Sequence, residues 1–462
     1  MRRALTALTL FILTLTATAF AAERIPPRTL GRDWVRSHPL TIMGLIQRVH
    51  TFNPKEYRNA GLNLLLIWKR HERVLEKAKG DNLPWLGHAI RKPPRDKPID
   101  PFTPQLRETV QKLAKKHPGC IGWLLWDEPY RQQFPKIAEA AAWFRKTFPG
   151  TMVFSNLYPN AGMSGKYYGG KWLGPDKYQV PPRPWTYDDY AEEYIEQVRP
   201  DVLMFDVYPF KQLPEAVAEE YIHRVYFANM ESIRRSALRA KLPYWVFLQS
   251  MEIKGWAYLP SESDLRMQVF SSLAYGFTGL AYFLYDGGLV TEHGRQSRLY
   301  DVAAQVNKEA LNLGQALRFL TSVEVLYVLG SHVEDGRRMP NRPPQGVKVY
   351  TPRAGTEFLR DVIVAEKGIG RDVLIGLFRD DRGGWYIMPV NLHRRKGKKA
   401  AEMKATVTLK LADSVKSLGH LSRAIGKTEL IPVRDGTFTM TLPGGTGELY
   451  KIGDKDFPGT GK

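Results

Sequence analysis

Two adjacent carboxylates close an apolar run in the stretch Gly122-Trp123-Leu124-Leu125-Trp126-Asp127-Glu128-Pro129. A run without polar interruption reads as a strand buried on both faces, and the proline forbids its continuation. Carboxyl groups at such a strand end can give up and take up protons. Paired carboxylates beside indole rings suit the cleavage of a glycosidic bond, which needs one carboxylic acid to protonate the leaving oxygen. It usually needs a second carboxylate as nucleophile or as base toward water. Glu128 is the expected acid, because burial near Trp126 and the like charge of Asp127 both favour its protonated form.

What positions such a pair is legible in the surrounding chain. Short apolar runs alternate with longer amphipathic ones eight times between residues 41 and 320, with strand candidates at 41–47, 62–68, 83–90, 121–126, 151–157, 201–208, 244–250 and 279–285. Eight is the number that closes a (β/α)8 barrel, whose chemistry sits at the carboxyl ends of its strands. Helix starts are marked by Asn53-Pro54, by Thr103-Pro104 and by the capping box of Ser261 and Asp264. The strand ends then share one face whatever their separation in sequence. They bring Gln47, Arg48, Lys69, Arg70, His71, His88, Asp127, Glu128, Asn156, Tyr158, Asp206, Tyr208, Gln249, Glu252, Tyr285 and Asp286 together.

That mixture of carboxylates, amides and aromatic rings suits a sugar: rings stack on pyranose faces and polar groups hold hydroxyls. Trp126, Tyr208, Gln249, Glu252, Tyr285, Asp286, Asn156 and His88 are the expected substrate contacts. Three partners for Glu128 stay open. Glu252 could act as nucleophile, Asp206 could activate water or stabilise a cationic transition state, and Asp127 could orient a 2-acetamido group whose carbonyl oxygen is the nucleophile.

Residues 1–21 stand apart: Arg2 and Arg3, an apolar run, and Ala19-Phe20-Ala21, an export signal with cleavage expected near Ala21. No later segment approaches the roughly 20 apolar residues that span a bilayer, so no membrane anchor is expected. Cys120 is the only cysteine, which excludes an intrachain disulfide. The formal net charge of +20 fits an anionic partner such as a sulfated or uronic polysaccharide, or a generally basic protein. The charges are dispersed and no nucleic-acid motif interleaves them, so nucleic acid is not an expected partner. No metal site of familiar spacing, phosphate loop, dinucleotide fingerprint or serine elbow is present, and no cofactor is expected.

Between the fifth and sixth strands lies a long connection, 159–185, whose Tyr167, Tyr168, Lys171, Trp172 and Tyr178 are candidate substrate contacts. After residue 320 the period becomes alternating, with strands expected at 385–392, 405–411 and 437–442 and turns at Asp381-Arg382-Gly383-Gly384 and Asp435-Gly436. This predicts an antiparallel β-sandwich over 321–462 after a barrel over 35–320. The run Arg394-Arg395-Lys396-Gly397-Lys398-Lys399 reads as a solvated loop, with contact to an anionic polymer as the alternative.

Trp126-Asp127-Glu128-Pro129, Phe205-Asp206-Val207-Tyr208-Pro209-Phe210, Val246-Phe247-Leu248-Gln249 and Gly279-Leu280-Ala281-Tyr282-Phe283 together resemble exported bacterial glycoside hydrolases related to clan A. The group includes β-galactosidase-like members. Leu442-Pro443-Gly444-Gly445-Thr446-Gly447-Glu448-Leu449-Tyr450 is similar to the last strand of the β-sandwich often attached to them. The resemblance implies that Glu128 is the acid/base, while the position that usually carries the seventh-strand nucleophile is Gln249. The adjacent Asp127-Glu128 pair is similar to hexosaminidases that use the substrate's acetamido group, which implies that Asp127 orients that group. The alternative to an enzyme is a non-catalytic carbohydrate-binding protein on a degenerate barrel, with an anionic polysaccharide as candidate ligand.

Overall fold

The computed structural model describes residues 29–90, 102–161, 171–174, 177–179, 186–334, 336–352, 356–365 and 372–461. The expected export signal therefore lies outside the described residues, as do Tyr167 and Tyr168. Lys171, Trp172 and Tyr178 fall in a hairpin, Lys171–Gly174 against Lys177–Gln179, whose side chains also lie outside the description.

Each expected apolar run contributes one strand: β1 (Thr41–Gly44), β2 (Leu64–Ile67), β3 (Trp85–His88), β4 (Cys120–Asp127), β5 (Met152–Leu157), β6 (Leu203–Asp206), β7 (Tyr244–Gln249) and β8 (Gly279–Phe283). All pair in parallel with their sequence neighbours, and β1 closes on β8, giving a closed (β/α)8 barrel. Alternation at period two divides their side chains. Met43, Leu64, Leu66, Leu86, Leu124, Phe154, Met204, Trp245, Phe247 and Ala281 fill the barrel. Ile42, Leu65, Ile67, Val153, Phe205, Val246 and Leu280 face the helices. Both sets are buried, which is why each strand reads as a continuous apolar run.

A short helix, α1 (Leu30–Ser37), precedes the barrel, with Gly31 against the Asp201 carbonyl just before β6 and Trp34 packed on the barrel-interior cluster. The helices whose starts the sequence marks are α2 (Pro54–Asn59), capped by Asn53, and α3 (Pro104–Lys116), capped by Thr103. A third, α4 (Glu262–Tyr275), carries the Ser261–Asp264 capping box.

Past β8 the chain forms a β-sandwich. A seven-stranded sheet containing Thr321–Val328, Val373–Arg379 and Trp385–Asn391 faces a three-stranded one of Leu359–Ala365, Ala405–Leu411 and Thr437–Leu442 across a separate apolar core. The sandwich docks on α4. A Cβ at Gly376 would lie 2.4 Å from the Ala274 carbonyl oxygen, and one at Gly445, whose φ is +67°, would lie 2.3 Å from that of Ser263. Only glycine permits so close an approach. Covered by the barrel on one side and the sandwich on the other, α4 is buried around nearly its whole circumference. Its polar side chains are satisfied inside: Arg266 forks onto Glu309 at 2.8 and 3.1 Å, and Asp264 takes Arg394 at 3.1 Å.

The expected solvated basic loop holds for residues 395–399, which are exposed, and Arg394 is the exception. Its side chain is buried against Asp264 and Glu219, and the backbone of its run accepts hydroxyl hydrogen bonds from Ser261 and Ser263. The run is a staple between sandwich and barrel. Arg394→Ala leaves the Asp264 carboxylate buried without its cation and is expected to cost about 3–5 kcal/mol. Urea unfolding followed by near-ultraviolet circular dichroism measures the loss, and an unchanged midpoint would refute it.

Candidate active site

The top layer of the barrel interior is polar. Following the inward phase, Phe154 is succeeded by Asn156 and Met204 by Asp206. On β4 the register shifts between Leu124 and Asp127. This irregularity turns two successive residues, Leu125 and Trp126, toward the helices and returns Asp127 to the inside. One amide ties the layer together: Asn156 Nδ2 donates to Asp127 Oδ1 at 3.2 Å and to Asp206 Oδ1 at 3.1 Å. Glu128 follows with φ +48°, its backbone N–H donating to the Asn156 carbonyl at 2.7 Å.

Strain gathers at this end of the barrel. Ile46, Lys69 and Arg70, just past β1 and β2, also have positive φ, at 64°, 51° and 59°. Each such non-glycine residue costs on the order of 1 kcal/mol, and clusters of them mark sites where geometry is held for a purpose.

Charge crowding is concentrated on Asp206. Burial raises its carboxyl pKa well above the usual range, the charges of Glu128 and then Asp127 raise it further, and hydrogen bonds from Asn156 and Tyr208 oppose the rise. The Tyr208 phenol is pushed far up by burial and by the same three carboxylates. Burial, then Glu128 and Asp206, push Tyr158 up to about 12. Glu128 and Asp127 thus act on Asp206 as neighbouring like charges that, with burial, favour its protonated form.

Aromatic rings wall this unit. Tyr208 lies 5.1 Å from Phe283 in a stacked pair and 5.9 Å from the edge-on Trp256, which is 41% exposed. On another side of the mouth Trp68 stacks on His88 at 4.0 Å. His88 is thus at the mouth, buried beneath an indole, and its Nδ1 accepts from the Lys69 backbone N–H at 3.3 Å.

No family model matches the chain, and no curated protein does. Solved structures are similar to it at low identity. A maltogenic α-amylase from Thermotoga neapolitana is 9% identical over 90% of this chain and 99% of its own, with a TM-score of 0.45. α-Galactosidase I from Mortierella vinacea is 8% identical over 88% of this chain and 92% of its own, at 0.41. A β-galactosidase from Halorubrum lacusprofundi is 12% identical over 60% of this chain and 59% of its own, at 0.39. The fold of this chain rests on its own strand order.

Four expected substrate contacts need correction. Trp126 is buried among the helix-facing residues, because the β4 irregularity turns it outward. Tyr285 is fully buried on Tyr57, 4.9 Å between rings. Asp286 is also fully buried, where it accepts from the Arg48 backbone N–H and the Thr51 hydroxyl and so fixes the loop after β1. Gln249 is buried with its amide fully engaged: Oε1 accepts from the Phe210 N–H at 2.9 Å, and Nε2 donates to the carbonyls of Phe210 at 3.1 Å and Tyr258 at 2.8 Å. It clamps two loops of the mouth. Gln249→Leu is expected to cost roughly 1–3 kcal/mol for each buried partner left unsatisfied, visible as a lowered thermal midpoint.

Glu252 stands exposed on the loop after β7, among residues 252–256 that all face solvent. Sequence reasoning missed Trp256 and Lys211, which reach the mouth from the loops after β7 and β6 and carry no local signal of it. Elsewhere Glu72, Glu76 and His117 converge, but Lys116 already ion-pairs with both glutamates at 2.7 and 3.0 Å.

Proposed function

We propose that this protein is an exported glycoside hydrolase acting on an oligo- or polysaccharide at the carboxyl end of its barrel. The observation that carries the reading is the three-carboxyl unit of Asp127, Glu128 and Asp206, bridged by Asn156 and walled by Tyr208, Phe283 and Trp256. Burial and like charge at Asp206 favour a retained proton in this cluster, and protonation of a glycosidic oxygen requires a proton held at the site. Glu128, less buried than Asp206, delivers that proton to the substrate. Asp127, held with Asp206 by one amide, supplies negative charge opposite the developing oxocarbenium ion, and Asp206 adds to it above its raised folded pKa.

No carboxylate from β7 joins them, because Gln249 occupies that strand end and is consumed by backbone partners. This favours two routes for the second step: water activated by Asp206, or a 2-acetamido group oriented by Asp127. The test is release of reducing sugar by residues 22–462 from matched neutral, acetamido and sulfated oligosaccharides. Activity confined to acetamido sugars assigns Asp127 as the orienting residue, and hydrolysis of sugars lacking that group assigns the water route. Saturable binding without cleavage of any member would overturn the enzyme reading in favour of a binding protein.

A further inference from the structure

Lys211 sits on the loop after β6, five residues beyond Asp206 in sequence. The loop is pinned from both sides. Residue 211 bridges to Ala257, the Gln212 N–H donates to the Trp256 carbonyl at 2.9 Å, and the Gln249 amide holds Phe210. The lysine side chain is only 7% exposed and runs between two rings, with Nζ 3.4 Å from the centroid of Trp256 and 5.0 Å from that of Tyr221.

Other buried cations here have carboxylate partners: Arg266 has Glu309, Arg394 has Asp264 and Lys451 has Asp454. Among the described residues no carboxylate is in ion-pair contact with Lys211. Burial lowers its ammonium pKa to about 7, while the more distant charge of Asp206 works the other way. Ring faces alone do not replace the hydration lost by a buried ammonium.

We infer that Lys211 is a specificity-determining residue that pairs with an anionic substituent, a carboxylate or a sulfate ester, on the sugar bound beside Trp256 and Asp206. The inference rests on the glycosidase reading and names its substrate class. A sugar lying along the exposed part of Trp256 passes beside the ammonium, and a substituent bearing its own charge supplies a counter-ion. A neutral hydroxyl does not. The excess of 67 basic over 47 acidic residues steers such substrates toward the molecule, while Lys211 discriminates at the mouth.

The experiment measures binding and cleavage of chondroitin sulfate and polygalacturonate oligosaccharides beside their desulfated and carboxyl-reduced counterparts, at about 0.3 M salt so that surface charge is screened. Neutral galactan oligosaccharides and aryl glycosides serve as uncharged controls. The wild type is expected to prefer the charged member of a pair about 10- to 100-fold, as a charge-assisted hydrogen bond supplies. Lys211→Met should abolish most of that preference and Lys211→Arg should keep part of it. The methionine variant removes a buried ammonium that no described carboxylate pairs, so its thermal midpoint should equal or exceed that of the wild type.

Loss on desulfation alone identifies a sulfate, and loss on carboxyl reduction alone identifies a carboxylate. Cleavage of neutral controls with no charge preference, or a preference that survives Lys211→Met, overturns the inference and leaves the glycosidase reading standing. If no sugar in the set is bound or cleaved, both fail.

Discussion

Glu128→Gln is expected to lower kcat on an alkyl or oligosaccharide glycoside by about 10²–10⁴-fold, the range that a positioned proton donor contributes. Glutamine keeps the side chain's size but holds no transferable proton. The backbone at this residue, with φ +48°, is tied by its own N–H to Asn156, so the substitution leaves the turn intact. A dependence on leaving group separates lost acid catalysis from general damage. With a dinitrophenyl glycoside, whose leaving group departs without a proton, the first step should proceed at close to the wild-type rate. If the variant is equally slow on both substrates, or nearly as fast as wild type on the alkyl glycoside, Glu128 is not the acid.

Asp206→Asn should pull stability and activity in opposite directions. Asp206 is buried, and its carboxyl group is crowded by Glu128 and Asp127. Its folded pKa is raised, so the folded state keeps this proton to higher pH than the unfolded chain does. Stability is therefore greatest below the ordinary carboxylate range and is lost as pH rises through the folded pKa. A neutral amide removes that loss. The melting temperature of Asp206→Asn should exceed that of the wild type at pH 8, and the difference should shrink toward pH 4. Above the folded pKa, where the wild-type carboxylate is charged and the amide is not, kcat should meanwhile fall by about 10²-fold or more. A variant that is both less stable at pH 8 and fully active would contradict the assigned role.

The barrel was legible in the sequence because strands buried on both faces leave uninterrupted apolar runs. The capping residues Asn53, Thr103 and Ser261 were legible because side-chain oxygens at helix starts are a local matter. Asn156 and Asp206 could be read as inward-facing strand ends by counting alternate residues. Trp126 could not, since a register irregularity is decided by the pairing of β4 with β5 and not by β4 alone. Gln249 looked like a site residue because polarity at a strand end reads the same whether the amide meets substrate or loop backbone. α4 was harder still. Its Asp264, Arg266 and Gln268 are buried only because barrel and sandwich close on the helix from both sides, which no local pattern encodes. Lys211 and Trp256 depend on two loops packing side by side, a long-range event with no short-range signature.

The amide of Gln268 on α4 grips both the N–H and the carbonyl of Gln249, at 2.7 and 3.0 Å, and Gln249 in turn holds the loops that carry Lys211 and Trp256. The far side of α4 is where Gly376 and Gly445 rest. An unbroken series of contacts thus joins the appended sandwich to the rim of the cleft. Such a domain is not interchangeable cargo. Detaching it, or grafting another in its place, is expected to loosen the rim through Gln268 and Gln249.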